Sequence, residues 1–370
     1  MERYYEGGAI PWVKSGELRE GRIVETEEHV TDAALHETSV KLVPAGAILL
    51  AMYGATVGRL AILGVEATTN QAVCHIVPDP KAADTRYLYR AIAAQVPAII
   101  AMGVGGAQPN ISQSLVKDLR VPLPPLPEQR RIAAILDQAD ALRAKRREAL
   151  AQLDSLTQSI FIEMFGDYRT ACVPWPIRPV EDIAAEMTIG LVRSAAEFGP
   201  DFEVPYVRMN AIGQRGEFLP SLVMRTEVSE GEFERYELRP GDLLFNTRNS
   251  RELVGKTALF RESGRYVFNN NLMRIRFRDG VHPEYVAAAF QTPYIQQELA
   301  SRKAGTTSVF AIYARELKTV PVPVPPLSLQ ETFATRIQAV ESLKTTHRAA
   351  TAELDALFAS LQHRAFSGGL

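Results

Sequence analysis

The residues best equipped for chemistry lie in the loop Asn246-Thr247-Arg248-Asn249-Ser250-Arg251, directly after the apolar run Asp242–Phe245. Guanidinium groups grip phosphate oxygens, while Arg, Asn and Ser/Thr side chains present donors and acceptors to base edges. This loop holds both kinds. From Arg248 to Arg278 the basic residues are Arg248, Arg251, Lys256, Arg261, Arg265, Arg274, Arg276 and Arg278, and only Glu252 and Glu262 oppose them. Eight against two is a local basic field of the sort phosphate binding needs, although the chain as a whole carries a net charge of −2. A solvated strand face is the plainer account of the same run. Arg208 and Asn210 follow a second strand-like stretch, and Thr306 and Thr307, with Ser308 and Tyr313, form a third polar group.

A matching set occurs early in the chain: Lys14 and Ser15, then Tyr53, Thr56 and Arg59, then Asn70 and Gln71. Tyr53-Gly54 stands where Asn246–Arg248 stands later. A glycine there either lets another backbone approach closely or makes a tight turn.

Catalytic motifs are missing. There is no Gly-rich cofactor loop, no Asn/Asp-Pro-Pro-Tyr/Phe motif to hold an extruded base, and no GxxxxGK[ST] loop for a nucleotide triphosphate. The six histidines show no metal-type spacing, and Cys74 and Cys172 form no CxxC pair; both cysteines read as buried apolar residues in a reducing compartment. No uncharged apolar stretch reaches the ~18 residues of a membrane span, and the first residues, Met1-Glu2-Arg3-Tyr4-Tyr5, begin no apolar targeting segment. A cytoplasmic, non-catalytic protein is expected.

The elements that position these residues come in duplicate. Val121-Pro122-Leu123-Pro124-Pro125-Leu126-Pro127-Glu128-Gln129 returns 201 positions later as Val322-Pro323-Val324-Pro325-Pro326-Leu327-Ser328-Leu329-Gln330. Each copy opens a long helix. The first is expected from Pro127 to Phe165, with a heptad seam Ile132, Ile135, Ala139, Leu142, Arg146, Ala149, Leu153, Leu156, Ile160. The second seam is Phe333, Arg336, Val340, Leu343, His347, Ala350, Leu354, Leu357, Leu361. Each stripe would face water alone, so the two helices are expected to pair antiparallel. About 38 residues make a rod of roughly 55–60 Å, with one module at each end.

The modules also match: Ile10–Lys14 with Val204–Arg208, Pro44–Leu50 with Arg239–Phe245, and Val57-Gly58-Arg59 with Val254-Gly255-Lys256. Short β-branched and aromatic runs punctuated by Gly, Pro and Asn predict strands, with a helix near Arg86–Gln95 and another near Glu284–Leu299. The fold expected is α+β: modules 1–120 and 168–320 alternate with proline-led helices 121–167 and 321–370. With 370 residues, two or three domains are the natural division.

The proline-led helix ending Phe165-Gly166-Asp167, together with Gly54-Ala55-Thr56-Val57-Gly58, Thr69-Asn70-Gln71 and Gly106-Ala107-Gln108-Pro109-Asn110-Ile111, resembles the specificity subunit of type I restriction–modification systems. The likeness covers essentially the whole chain. It implies two target-recognition domains, each reading one half of a bipartite double-stranded DNA site. It implies two methyltransferase subunits that hold S-adenosylmethionine, and restriction/translocase subunits beside them. The DNA-binding residues expected are then Lys14, Ser15, Tyr53, Thr56, Arg59, Asn70 and Gln71 in module one. Module two would use Arg208, Asn210, Arg248, Asn249, Ser250, Arg251, Lys256, Thr306 and Thr307. Module one departs by having ten residues before Pro11 where module two has 37 between Asp167 and Pro205, so it is expected to be shortened by roughly 27. A self-contained DNA modification enzyme is the rival that the missing motifs oppose. A coiled-coil adaptor without sequence readout is the rival that the polar loops oppose.

Overall fold

The computed structural model describes residues 2–19, 21–102, 110–168, 174–305 and 308–369. The chain divides into two compact units: residues 1–147 with 349–370, and residues 148–348.

In the first unit the strands are β1 (Ile10–Val13), β2 (Arg22–Ile23), β3 (Glu28–Val30), β4 (Ile48–Ala51), β5 (Leu60–Leu63), β6 (Thr68–Thr69) and β7 (Val73–Ile76). Helix α1 (Asp32–Glu37) lies among them, and α2 (Thr85–Met102), α3 (Gln113–Lys117) and α4 (Leu126–Phe165) follow. The strands form two sheets, β3-β1-β6 and β2-β5-β4-β7. In the second sheet β4 is buried along its whole length, as its unbroken Ile-Leu-Leu-Ala run requires of a strand covered on both faces.

Module two begins with β8 (Ile177–Pro179), α5 (Val180–Ile183) and β9 (Ala184–Ile189), then β10 (Val204–Val207), β11 (Met224–Thr226), α6 (Glu230–Tyr236) and β12 (Leu243–Asn246). It continues through β13 (Arg248–Asn249), β14 (Thr257–Leu259), β15 (Val267–Phe268), β16 (Leu272–Phe277), α7 (Pro283–Phe290) and α8 (Pro293–Ser301). Strands β17 (Ala304–Gly305) and β18 (Phe310–Ala311), helix α9 (Ala314–Lys318), strand β19 (Pro321–Pro323) and helix α10 (Leu327–Ser367) complete it. Its sheets are β11-β10-β15, β14-β12-β16-β9, β13-β18-β17 and β19-β8. The α+β expectation holds.

The two modules share one ladder, residue for residue. Ile48, Leu49 and Leu50 pair with Ile62, Ala61 and Leu60, as Leu243, Leu244 and Phe245 pair with Leu259, Ala258 and Thr257. On the other side Leu50 faces Cys74 and Phe245 faces Met273. The matched glycines Gly58 and Gly255 both have positive φ, +83° and +91°, and their N–H groups donate back to the Ala51 and Asn246 carbonyls. Only glycine adopts that turn without strain.

Each unit contains half of α4 and half of α10, running antiparallel. In the first, Ile132, Ala133 and Leu136 pack with Phe358, Leu361 and Ala365, and Arg143 bonds Asp355 at 2.5 Å and Asp140 at 3.0 Å. In the second, Phe161 and Phe165 pack on Phe333, and Lys344 pairs with Asp154 at 3.3 Å and Glu341 at 2.9 Å. The two charge clusters are the same positions 201 apart.

The heptad seam itself needs correction. Leu136 and Phe161 are buried, whereas the seam leucines Leu142 (49% exposed), Leu156 (38%), Leu343 (51%) and Leu357 (52%) face outward. A straight helix drifts ~20° per heptad from a strict 3.5-residue repeat, so the inward face moves onto neighbouring positions, here the charged Arg143 and Lys344.

Candidate nucleic-acid interface

Strand β12 carries the chain out of the core of module two. Thr247 then anchors the exit, its N–H and hydroxyl both donating to the Asn271 carbonyl at 2.9 Å, while its own carbonyl accepts from Ile312. Arg248 and Asn249 form β13, paired with Ala311 and Phe310 of β18. Arg248 is exposed, and its guanidinium has no partner among the described residues. Arg251 is exposed too, its guanidinium 5.8 Å from the Phe310 ring centroid, and its carbonyl accepts from Lys303 Nζ at 2.7 Å. Burial pushes the Lys303 ammonium down, Arg251 adds to the shift, and Glu252 opposes both. The positive charge of Arg251 acting on Lys303 is what a bound anion would offset.

Beside Arg248 lies a recess of about 330 Å³ whose walls include Ile189, Val192, Thr247, Asn270 and Tyr313. Asn269, Asn270 and Asn271 form a ledge between this recess and the end of β10, where Asn269 N–H donates to the Val207 carbonyl. Arg208, next to Val207, is half-buried and donates to Met224 Sδ, and Asn210 is exposed. The structure therefore brings Arg248, Asn249 and Arg251 together. It adds Lys303, Asn270 and Tyr313, of which the sequence pattern points only to Tyr313.

Other expected contacts have internal roles. Lys256 Nζ donates to the Ile212 carbonyl at 2.6 Å, and burial lowers its pKa. Glu252's own backbone N–H, with the Ser250 hydroxyl second, holds the Glu252 carboxylate below its ordinary range. Thr306 and Thr307 lie outside the described residues.

The basic field counted along the sequence dissolves in space. Arg261 pairs with Glu284 at 2.6 Å, Arg265 with Glu230 at 2.7 Å, and Arg276 with Asp242 at 2.8 Å. Arg274 is buried against Glu186, and Arg278 donates to the Ala184 carbonyl. Strand pairing and the helices α6 and α7 bring these partners from outside the counted stretch, which leaves Arg248 and Arg251 as its exposed arginines whose guanidinium groups have no hydrogen-bond partner among the described residues.

In module one, Tyr53 lies two residues past the end of β4, as Arg248 lies two past the end of β12, and it is exposed. Gly54 has φ +71°, and an added Cβ would meet nothing within 4 Å, so the turn rather than a close approach requires glycine. Thr56 Oγ1 donates weakly to the Tyr53 carbonyl at 3.4 Å. Arg59 is exposed, and its side chain has no partner among the described residues. Lys14 is tied to Glu28 at 2.6 Å and Glu27 at 3.3 Å, and Ser15 starts a short 3-10 turn. Asn70 is the counterpart of Asn269: each N–H donates to the end of the first strand, and each Oδ1 accepts from the residue two positions on. Both asparagines frame the turn, and Gln71 and Asn270 follow it. A sequence comparison could have found this ledge by aligning Thr69-Asn70-Gln71 with Phe268-Asn269-Asn270.

Among the described residues no His/Cys/Asp/Glu cluster could hold a metal, and no helix is long and apolar enough to cross a membrane.

The chain matches the family model described as type I restriction modification DNA specificity domain twice, over residues 2–152 and 173–356. It is similar to the type I restriction enzyme EcoKI specificity subunit of Escherichia coli strain K12, at 25% identity over 294 residues. That match takes in 74% of this chain and 62% of the relative. It is also similar to the EcoR124I/EcoR124II specificity subunit of Escherichia coli, at 28% identity over 42% of this chain and 39% of that one. The matches thus span less than two thirds of these two relatives' lengths. Among solved structures, a chain of a type I R-M system matches with TM-score 0.59 and 20% identity, covering 98% of this chain and 92% of that one. The S subunit from M. genitalium matches with TM-score 0.59 and 16% identity, covering 99% and 90%. These two carry the fold alone.

Proposed function

This chain belongs to the type I restriction–modification DNA specificity family, and from that premise we propose that it reads a bipartite double-stranded DNA target without catalysing any reaction on it. Each module reads one half-site. The observation that carries the reading is the pair Tyr53 and Arg248: each lies two residues past the shared ladder, exposed in both modules, and they hold different recognition chemistry beyond the same paired strands. A scaffold that reads two different half-sites needs a constant frame and variable outward groups.

Methylation and cleavage belong to partners in this reading. Two methyltransferase subunits dock on the helices and bring S-adenosylmethionine, and restriction/translocase subunits join them in the cytoplasm. The outward leucines support docking: Leu142 and Leu357 in one unit, Leu156 and Leu343 in the other, at positions related by the same repeat. Repeated apolar groups on otherwise polar helices fit two copies of one partner.

Sequencing methylated bases in DNA from cells that carry this chain with its methyltransferase partner tests the proposal. Methylation at one bipartite motif, abolished when this chain is deleted, is expected. Methylation independent of this chain, or lacking any common motif, would overturn it and favour an adaptor without sequence readout.

A further inference from the structure

The recess beside Arg248 is built for more than a phosphate. Its walls carry one charged side chain, Arg248 itself, and no carboxylate. Ile189, Val192 and Tyr313 stand at its rim and leave about half or more of their surface in water. Large apolar groups held outward side by side mark a binding surface. The cation among them suits an anionic nucleic acid.

The backbone fixes these groups in place. Ile189 ends β9 opposite Met273. Gly190 then lies so close to the Phe268 and Asn269 carbonyl oxygens that an added Cβ would meet them at 2.2 and 2.5 Å. Leu191 N–H donates to the Phe268 carbonyl at 3.0 Å, and Asn270 N–H donates back to the Leu191 carbonyl at 3.1 Å. Val192 and Asn270 thus follow one hydrogen-bonded bridge into the same recess. The Asn270 side-chain amide has no hydrogen-bond partner among the described residues.

A free carboxamide beside an apolar rim matches one kind of base pair. In the major groove adenine offers the N6 donor and N7 acceptor that an asparagine amide engages bidentately, and its paired thymine carries a 5-methyl group on the same edge. Guanine offers two acceptors there, and cytosine has no methyl. We propose that this recess selects an A·T pair in the half-site of module two: the Asn270 amide reads the adenine, and the rim of Ile189, Val192 and Tyr313 takes the thymine methyl. The assignment rests on the reading of module two as a DNA-reading domain and names what it reads.

The test is a gel shift with the full chain and its methyltransferase partner, on a duplex carrying the methylated motif. Uracil replaces one thymine at a time, which keeps the base pair and removes only the methyl group. One position, in the half-site that Arg248→Ala also affects, should lose about fourfold in affinity, the worth of one buried methyl. Val192→Ser changes an exposed side chain, so the module should stay folded, and thymine and uracil should then bind alike. Tyr313→Ala should shrink the same difference without touching β9. Asn270→Ala should relax preference at that base pair alone. Motif-specific binding with no response to uracil at any thymine would overturn the proposal and leave the DNA reading intact. So would a uracil response that Val192→Ser and Tyr313→Ala both leave at full size. Absence of any motif preference would overturn the DNA reading, and this proposal with it.

Discussion

Gln129 and Gln330 stand 201 positions apart and make the same three hydrogen bonds, both fully buried. Gln129 Oε1 accepts from Asp84 N–H at 2.8 Å, and its Nε2 donates to the Ala82 and Pro124 carbonyls at 2.9 and 2.8 Å. Gln330 Oε1 accepts from His282 N–H at 2.8 Å, and its Nε2 donates to the Gly280 and Pro325 carbonyls at 3.4 and 2.7 Å. Each amide ties the start of a long helix to the residues that lead into a module helix, α2 or α7. A neighbouring tie repeats as well: Tyr87 and Tyr285 donate to the Pro122 and Pro323 carbonyls at 2.7 and 2.6 Å. The proline-led repeat is thus the joint between module and helix.

That joint predicts a stability effect that needs both ends of the amide. Gln330→Ala strands a buried N–H and at least one carbonyl, and should cost about 2–4 kcal/mol in denaturant unfolding. Gln330→Glu keeps the acceptor for His282 but loses the donor to Pro325, so it should also destabilise. Wild-type stability in the Glu variant would mean the donor is idle.

The joint also shows how much of the molecule was legible in the sequence. Gln129 and Gln330 stood out because covalent repetition needs no geometry to detect, and so did the module matches at Gly58 and Gly255. The inward helix face was harder. Leu142 and Leu156 fit a heptad on paper, yet tertiary packing chose Leu136 and Phe161 and placed Arg143 between the helices. Charge was misread for the same reason. Arg274 and Arg276 are adjacent to other cations in sequence, but Glu186 and Asp242 reach them only through strand pairing. Lys303 and Asn270 were missed because their neighbours in the interface lie tens of positions away.

A buried phenol pair predicts alkaline sensitivity in module two. Tyr285 donates to Pro323, so the Tyr168 hydroxyl, 3.1 Å away, donates to Tyr285. Burial pushes Tyr168 up from 10.0 to about 12, with the Tyr285 bond opposing, and burial pushes Tyr285 higher still. A raised folded pKa means the unfolded chain ionises first. The stability that Tyr168 contributes is complete below pH 10 and is lost as pH rises through about 12, and the Tyr285 contribution is lost at higher pH still. Phenolate absorbance of this pair should appear together with unfolding, not before it. Ionisation of both in a still-folded module would contradict the burial argument.

The loop makes separable predictions for three cations. Arg248→Ala should weaken DNA binding by about 1–3 kcal/mol if a bidentate base contact is lost, relaxing preference at one position of the half-site. Arg251→Ala, beside Lys303, should instead lower the salt slope by roughly one and leave sequence preference alone. Lys256→Ala should act mainly on stability, because its ammonium is held by the Ile212 carbonyl. Salt-dependent gel shifts with cognate and scrambled DNA check all three. Unchanged affinity in both arginine variants would remove this loop from the interface.

The outward leucines predict partner stoichiometry. Leu142 and Leu357 are half-exposed in one unit, and Leu156 and Leu343 are their counterparts in the other. Their removal from the helix interior opens no cavity, so Leu142→Glu with Leu357→Glu should shift Tm by no more than about 1–2 °C. A carboxylate on a buried apolar contact would, however, abolish docking there. Native mass spectrometry with purified methyltransferase subunit should show two partners per wild-type chain, one per chain with either leucine pair changed, and none with both changed. Retention of two partners by the fourfold variant would remove these leucines from the docking surface. Loss of both partners from either twofold variant would mean that the two patches do not act independently. A stepwise fall from two to one to none is what repeated, separate docking surfaces require.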